Sequence, residues 1–378
     1  MLLAALTAAA LHLVTLAPTA AEASVSPPAH VRTYGPAHLR TRGPAHMRTR
    51  APAHLRTRAP AHLRTRAPAH VRTHPPAHAA NDGLAIQVAL DRTGFSPGVI
   101  DGQPGSNTRK AAEAYRQQHG KDPEPVADAI VSYTITDADA AGPFAERIPP
   151  ELPDQAKLPS LTYATALEAL AERFHSTPAL LQRLNPQSAF AAGEAIQVPN
   201  VDPFVVPVPR IEAAPKNGAN TAKPIGTSGR TRSADTAPVV KPDVVVTISR
   251  ASSALIVTNG SQQVIFYAPV TTGSERDPLP IGEWKVTGIQ FSPKFHYNPA
   301  LFWDADPSHS KATLANGPNN PVGVVWIDLS KDHYGLHGTP EPSTVGKTAS
   351  HGCVRLTNWD ALRLAGLVKP GTRVIFTE

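Results

Sequence analysis

The chain has 378 residues, enough for two or three domains, and 40 of them are proline, roughly twice the usual share. The formal net charge is +6, yet residues 24–81 hold ten arginines and no acidic residue, so the rest of the chain carries −4. A nucleic-acid-binding domain concentrates basic residues on a folded element, and this distribution therefore argues against nucleic acid as a partner. The single cysteine excludes an internal disulfide framework.

The first 23 residues are rich in alanine and leucine and end in Ala21-Glu22-Ala23. Small residues one and three positions before the cut are typical of signal-peptidase cleavage. We therefore expect a signal peptide at 1–23 and a protein of the periplasm or cell envelope. A retained anchor is the alternative, although the apolar stretch is short for a membrane span. We expect no stable membrane span after cleavage.

Residues 24–81 repeat Pro-Ala-His every eight residues, with the consensus PAHLRTRA. This period matches neither a helix nor a strand. A segment with a proline in every unit and almost no aromatic residues buries too little surface to fold. We therefore predict a disordered spacer. Its arginines allow a second interpretation, a cationic tether for anionic polymers of the cell envelope.

Residues 82–125 predict a small helical domain. Leu84, Val88 and Leu90 begin an amphipathic helix, and a second helix follows Gly105. The intervening pattern G-x-x-x-G-x-x-D-G-x-x-G, followed by T-R-x-A, resembles the three-helix peptidoglycan-binding domain. That resemblance implies binding to the cell wall, and a helical unit without a ligand is the alternative.

Residues 130–200 predict an α+β module. Two amphipathic helices meet near Thr177, a strand ends the module at Pro199, and a first strand is expected near Tyr133–Thr136. This order, with its terminal I-x-V-P, resembles a LysM domain and implies binding of glycan strands. A long insertion after the first strand departs from that pattern, and a degenerate module without binding activity is the alternative.

Residues 201–243 are rich in proline and predict a linker that gives the next domain reach. From Val244 to Glu378, short β-branched and aromatic runs alternate with turns, which predicts a mostly-β domain. The expected strands are Val244–Ser249, Ala254–Thr258, Gln263–Pro269, Gly282–Ile289, Gly323–Leu329 and Thr372–Thr377. One helix is expected, capped by Thr357 and ended by Pro370-Gly371.

Two motifs in this domain carry chemistry, His337-Gly338 and the run from Ser350 to Arg355. A free thiol is only a few per cent thiolate at neutral pH, and an imidazole beside it accepts the proton. The histidines available to Cys353 are His337 and His351. The N–H groups of Gly352 and Cys353 are possible donors to an oxyanion, and Arg355 offers a cation to a substrate carboxylate. A buried structural cysteine and a zinc site are the alternatives, although no second cysteine supports zinc.

The run S-H-G-C-V-R, together with the earlier histidine and the turn Pro280-Ile281-Gly282, resembles the signature of the L,D-transpeptidase catalytic family. The resemblance implies a β-sandwich-like fold and needs no metal or other cofactor. It implies that Cys353 is the nucleophile, that His337 is the general base, and that the Gly338 carbonyl orients the imidazole. It also implies a substrate site that comprises Ser350, His351, Gly352 and Arg355.

The resemblance further implies that the partners are the stem peptides and glycan strands of peptidoglycan, joined by 3→3 crosslinks. Three alternatives remain open: a hydrolase such as an L,D-carboxypeptidase, attachment of a lipoprotein to the wall, and a non-catalytic wall anchor. The aromatic residues at 295–303 predict either a flap over the substrate or part of the core.

Overall fold

The computed structural model describes residues 77–213, 241 and 243–378. The predicted signal peptide and most of the octapeptide repeat, residues 1–76, lie outside the described residues, as do residues 214–240 of the predicted linker. In the part that is described, no helix is both long enough and apolar enough to cross a membrane.

Two helices and a glycine-rich turn open the upstream region, which we define as residues 77–200. Helix α1 spans Ala77–Arg92 and α2 spans Ser106–His119. Because α1 begins at Ala77, the last residues of the repeat that was predicted to be disordered are helical instead. Three glycines of the turn have φ between +74° and +82°, a region that favours glycine: Gly94, Gly98 and Gly102. Their spacing is therefore set by the backbone of the turn.

The rest of the upstream region is an α+β unit. Its elements are β1 (Ile130–Thr134), α3 (Asp137–Ala141), α4 (Leu152–Gln155), α5 (Ala166–Arg173), α6 (Pro178–Leu184) and β2 (Ala195–Pro199). Strands β1 and β2 pair antiparallel, with Tyr133 opposite Ile196. Thr165 and Thr177 cap α5 and α6 through their side chains. The predicted insertion is the segment that holds α3 and α4.

The C-terminal domain is built on a nine-stranded mixed sheet with one α-helix. Its strands are β3 (Arg210–Ala213), β4 (Val244–Ser249), β5 (Ala254–Asn259), β6 (Val264–Pro269), β7 (Gly282–Phe291), β10 (Val325–Leu329), β11 (Gly335–His337), β12 (Val354–Arg355) and β13 (Arg373–Thr377). A separate hairpin consists of β8 (Phe295–Tyr297) and β9 (Ala312–Leu314). The order is β12-β11-β10-β7-β13-β4-β5-β6, with β3 also on β7.

The sheet curls around a single apolar core. Strands from both ends of the sheet contribute to one buried cluster, and helix α7 (Asn358–Leu367) packs into the same cluster through Trp359 and Leu364. Thr357 caps α7, as the sequence predicts, by accepting a hydrogen bond from the Asp360 N–H at 3.1 Å. The mostly-β prediction is confirmed, but one continuous curled sheet replaces the expected sandwich-like pair of layers.

The predicted linker begins too early. Phe204 is buried in the core of the C-terminal domain, and β3 pairs with β7 on the edge opposite β10. Main-chain hydrogen bonds of a sheet fix a segment that the proline content alone had suggested was free. Residues 201–213 therefore belong to the fold.

The upstream region is docked on the C-terminal domain through a buried ion-pair network. Arg363 of α7 makes two hydrogen bonds to Asp91 of α1, at 2.8 and 3.1 Å, and His175 Nδ1 lies 3.0 Å from the same carboxylate. Burial opposes the charge of Asp91, yet His175 and Arg363 hold its pKa well below the usual value. His175 also stacks on Trp359 at 5.1 Å. These contacts hold the upstream region against the C-terminal domain, so the reach that was expected from the linker does not apply between these two parts.

Candidate active site

Strands β11 and β12 bring the predicted catalytic residues to one face of the sheet. The two strands are parallel, with Leu336 beside Val354 and His337 beside Arg355. Side chains alternate along a strand, so Cys353, one residue before β12, shares the face of Arg355 and His337. All three line one cleft of about 880 Å³. The pairing therefore joins two motifs that the sequence separates by sixteen positions.

His337 is held as a neutral imidazole. Its Nδ1 lies 2.7 Å from the Gly338 carbonyl oxygen. A carbonyl only accepts, so Nδ1 carries the hydrogen and Nε2 keeps its lone pair. Burial, with the charge of Arg355 as a second cause, lowers the pKa of His337 to about 3. The predicted role of the Gly338 carbonyl thus has a geometric basis, and Nε2 is unprotonated at neutral pH.

Trp326 fixes the plane of the imidazole, which the sequence did not reveal. It lies opposite His337 in the β10–β11 pairing, and the two rings stack at 5.4 Å with an angle of 20°. A Cβ on Gly335 would come within 2.5 Å of the indole, so glycine is required there. Trp326 also lines the cleft. Only the strand register identifies this contact.

Cys353 rests as a thiol. Its Sγ lies 3.7 Å from the carbonyl oxygen of His333, the partner that its S–H meets in this conformation. Burial raises the pKa of Cys353 above the usual thiol value, although the Gly335 amide and the charge of Arg355 oppose that change. The expected thiolate is therefore not preformed. Before the thiol can transfer its proton to His337, its S–H must leave the His333 carbonyl oxygen and turn toward the imidazole.

Ser350 orders the turn that precedes the nucleophile. Its Oγ donates to the Cys353 carbonyl oxygen at 2.5 Å and accepts from the Gly352 N–H at 3.2 Å. Gly352 has φ +108°, and a Cβ there would lie 3.0 Å from the Tyr334 ring. Since the Gly352 N–H already has a partner, the expectation that it serves an oxyanion is not met in this conformation. The Cys353 N–H remains the predicted donor.

His351 stands in the cleft wall against the segment 298–306. Its Nε2 lies 2.8 Å from Asp304, and Phe302 and Trp303 pack against its ring at 5.2 and 5.7 Å. His351 therefore forms part of the pocket wall. Because its Nε2 already contacts Asp304, His337 is the better candidate for the general base. Trp303 is 50% exposed whereas Tyr297 is 4% exposed. The aromatic run is thus divided between an exposed flap and the core.

The insertion of the upstream region completes the cleft, which the sequence did not predict. Pro150, Glu151 and Leu152 line its far side, and Leu152 packs with the β8–β9 hairpin. A second groove of about 490 Å³ lies in the α+β unit, between the start of α5 and the loop that joins α6 to β2. Among the described residues, no group of three histidine, cysteine or acidic side chains is placed to hold a metal ion.

Comparison with known proteins gives the same family for the C-terminal domain. Residues 243–376 match the model of the L,D-transpeptidase catalytic domain. The putative L,D-transpeptidase YqjB of Bacillus subtilis is 31% identical over 143 residues, 36% of this chain and 72% of that protein. YkuD of the same species, also a putative L,D-transpeptidase, is 26% identical over 211 residues, 55% of this chain and 91% of that protein.

Other matches are partial in length. The putative L,D-transpeptidase YkuD of Bacillus licheniformis is 53% identical over 60 residues, and this chain spans 36% of its length. A solved L,D-transpeptidase of Mycobacterium smegmatis is 18% identical with a TM-score of 0.29, and the match covers 36% of this chain and 59% of that one. L,D-transpeptidase 3 of Mycobacterium tuberculosis, in complex with a faropenem-derived adduct, is 20% identical with a TM-score of 0.30, covering 36% and 61%.

Proposed function

The chain belongs to the L,D-transpeptidase family, and from this premise we propose that it forms 3→3 crosslinks between peptidoglycan stem peptides through a thioester on Cys353. The observation that carries the proposal is the neutral His337, held through Nδ1 by Gly338, on the same cleft face as the thiol. Arg355 adds a cation to that face and suits the carboxylate of the donor stem. The proposal locates the reaction in the periplasm or cell envelope.

The first half of the reaction forms the thioester. The Cys353 sulfur attacks the carbonyl carbon of the third stem residue while its proton passes to Nε2 of His337. The Cys353 N–H faces the negative charge that develops on the carbonyl oxygen. The C–N bond to the terminal D-Ala breaks, and His337 returns the proton to the leaving amine.

The second half resolves the thioester. An amine of a second stem attacks the acyl carbon, the sulfur leaves and recovers a proton, and His337 accepts the proton that the amine loses. Because the thioester keeps the acyl group activated, no nucleotide is consumed. Water in place of the amine gives hydrolysis, the alternative that shares every residue of the site.

Product analysis separates transfer from hydrolysis. We expect the full chain, incubated with purified tetrapeptide stems, to release D-Ala and give a crosslinked dimer with the mass of two stems minus one alanine. Mass spectrometry of the products checks this. A tripeptide without any dimer, at millimolar acceptor, would assign the chain to hydrolysis instead.

We propose that the groove of the α+β unit binds glycan strands. The support is its position between two loops of a unit whose order resembles a LysM domain, and its shape as an open groove of about 490 Å³. Deleting the whole upstream region does not test this, because that region packs into the C-terminal domain. A point substitution in the groove is the appropriate change.

Filling the groove is expected to weaken wall binding without slowing chemistry. Ala189 is exposed and lines the groove, so Ala189→Trp should lower binding to purified sacculi about tenfold, since a large side chain blocks the site. Ala192→Trp, on the same loop but outside the groove lining, is the matched control. Co-sedimentation with sacculi and turnover of soluble stems are the measurements. Equal sedimentation of both variants and the wild type would rule out this site.

A further inference from the structure

Asn358, the first residue of α7, lies behind the backbone that orients the general base. Its side chain is fully buried, and its Oδ1 accepts a hydrogen bond from the Val324 N–H at 3.1 Å. A Cβ added to Gly338 would lie 2.1 Å from this oxygen, so Asn358 is in close contact with the Gly338 backbone. The Gly338 carbonyl in turn holds Nδ1 of His337. A shift of Asn358 therefore moves the group that sets the imidazole.

Glu172 of the upstream region holds Asn358 in place. The Asn358 Nδ2 donates to Glu172 Oε1 at 2.7 Å and to the Pro318 carbonyl at 3.2 Å. Glu172 lies on α5, 186 positions away in sequence, and is buried at 8% exposure. These contacts fix which way the Asn358 amide faces, because only Nδ2 donates and only Oδ1 accepts from Val324.

We propose that Glu172 is a positioning residue for the general base: it holds Asn358, which fixes the Gly338 backbone that orients His337. The upstream region then contributes to the chemistry, since one of its helices sets the geometry of the catalytic imidazole. This inference rests on the proposed function, because it assigns a role within that reaction. Burial raises the pKa of Glu172 to about 7, so near neutrality the side chain carries a proton for much of the time and still offers Oε1 to Asn358.

The rate at which a carbapenem acylates Cys353 measures how well His337 is positioned as the general base. Intact-protein mass spectrometry on the full chain follows this acylation. Glu172→Met removes the acceptor with little change in volume and is expected to lower the first-order acylation rate about tenfold. The half-saturating concentration should stay within about twofold, because the substrate contacts are untouched. Glu172→Gln keeps an oxygen for Asn358 and should restore the rate to within about threefold of the wild type.

A matched control separates positioning from loss of stability. Ser96 of the upstream region donates a 2.8 Å hydrogen bond to Asp360, which lies on α7 like Asn358. Ser96→Ala removes this bond across the same interface without touching Asn358. It should acylate at the wild-type rate even if its thermal midpoint falls as far as that of Glu172→Met. Equal slowing by Ser96→Ala, or a wild-type rate in Glu172→Met, would overturn the proposal.

Exchanging the carboxyl and amide groups of Glu172 and Asn358 tests the positioning role of Glu172 if Glu172→Met does not fold. Asn358→Asp places two carboxyl groups face to face and should slow acylation or unfold the chain. Adding Glu172→Gln supplies a donor to the new carboxylate with the roles exchanged, while the Pro318 carbonyl still loses its donor. The double variant should therefore regain part of the stability and of the rate that Asn358→Asp alone loses. A double variant that is no more stable and no faster than Asn358→Asp alone contradicts the proposal. Absence of acylation in the wild type would instead refute the proposed function.

Discussion

Replacing Cys353 with alanine is expected to abolish crosslink formation from tetrapeptide stems, with a loss of at least about 10³-fold in turnover. Without the sulfur no thioester forms, and neither His337 nor Arg355, which line the same cleft, supplies a replacement nucleophile. Release of D-Ala and appearance of the dimer, both quantified by mass spectrometry, are the measurements.

A second variant, together with the stability of both, shows what that loss means. Cys353→Ser keeps the size of the side chain but has a far weaker nucleophile, so it should be folded and nearly inactive. Unchanged thermal midpoints for both variants would show that chemistry rather than folding was lost. Dimer formation by Cys353→Ala at a rate near that of the wild type would remove Cys353 from the mechanism.

Replacing His337 with alanine is expected to slow Cys353 acylation by about 10²- to 10⁴-fold, the usual contribution of a general base. The thiol has a raised pKa, so it depends on a base for its deprotonation at neutral pH. Added imidazole should restore part of the rate in His337→Ala, because it fits the space that the side chain leaves. A merely structural role for His337 would give no such rescue.

The pH dependence follows from the same two groups. Because the pKa of His337 is lowered to about 3, the imidazole stays neutral from about pH 5 upward. The thiol, with its raised pKa, stays protonated across the same range. The second-order acylation rate of the wild type should therefore show no inflection between about pH 5 and pH 8. An inflection near pH 6.5 that persists in Glu172→Gln, which removes the buried carboxyl whose pKa is about 7, would mean that His337 titrates like a solvated histidine.

Local signals in the sequence predict much of the C-terminal domain. The run Val244–Ser249 is found as a strand with the predicted bounds, since alternation of buried and half-buried residues is a local property. The cap at Thr357 is equally local. Cys353 and His337 stand out because glycines flank both and because a lone thiol requires a base. Their common cleft follows from the parallel pairing of two short strands.

What the sequence does not predict depends on contacts between distant segments. β3 lies in a proline-rich stretch, and only its pairing with β7 makes it a strand. Trp326 resembles a core residue until the register places it on His337. Glu172 resembles a solvated acid on an amphipathic helix until packing buries it beside Asn358. In each case the deciding neighbour is far away in sequence, so no local pattern carries the information.

The most direct test of the proposed mechanism is the mass of the enzyme during turnover. The wild-type chain is mixed with a tetrapeptide donor and no acceptor amine, and the reaction is quenched rapidly. The enzyme should gain the mass of the tetrapeptide stem minus one alanine. Peptide mapping should place that adduct on Cys353. Product formation with no adduct on Cys353, or with an adduct on another side chain, would contradict the account.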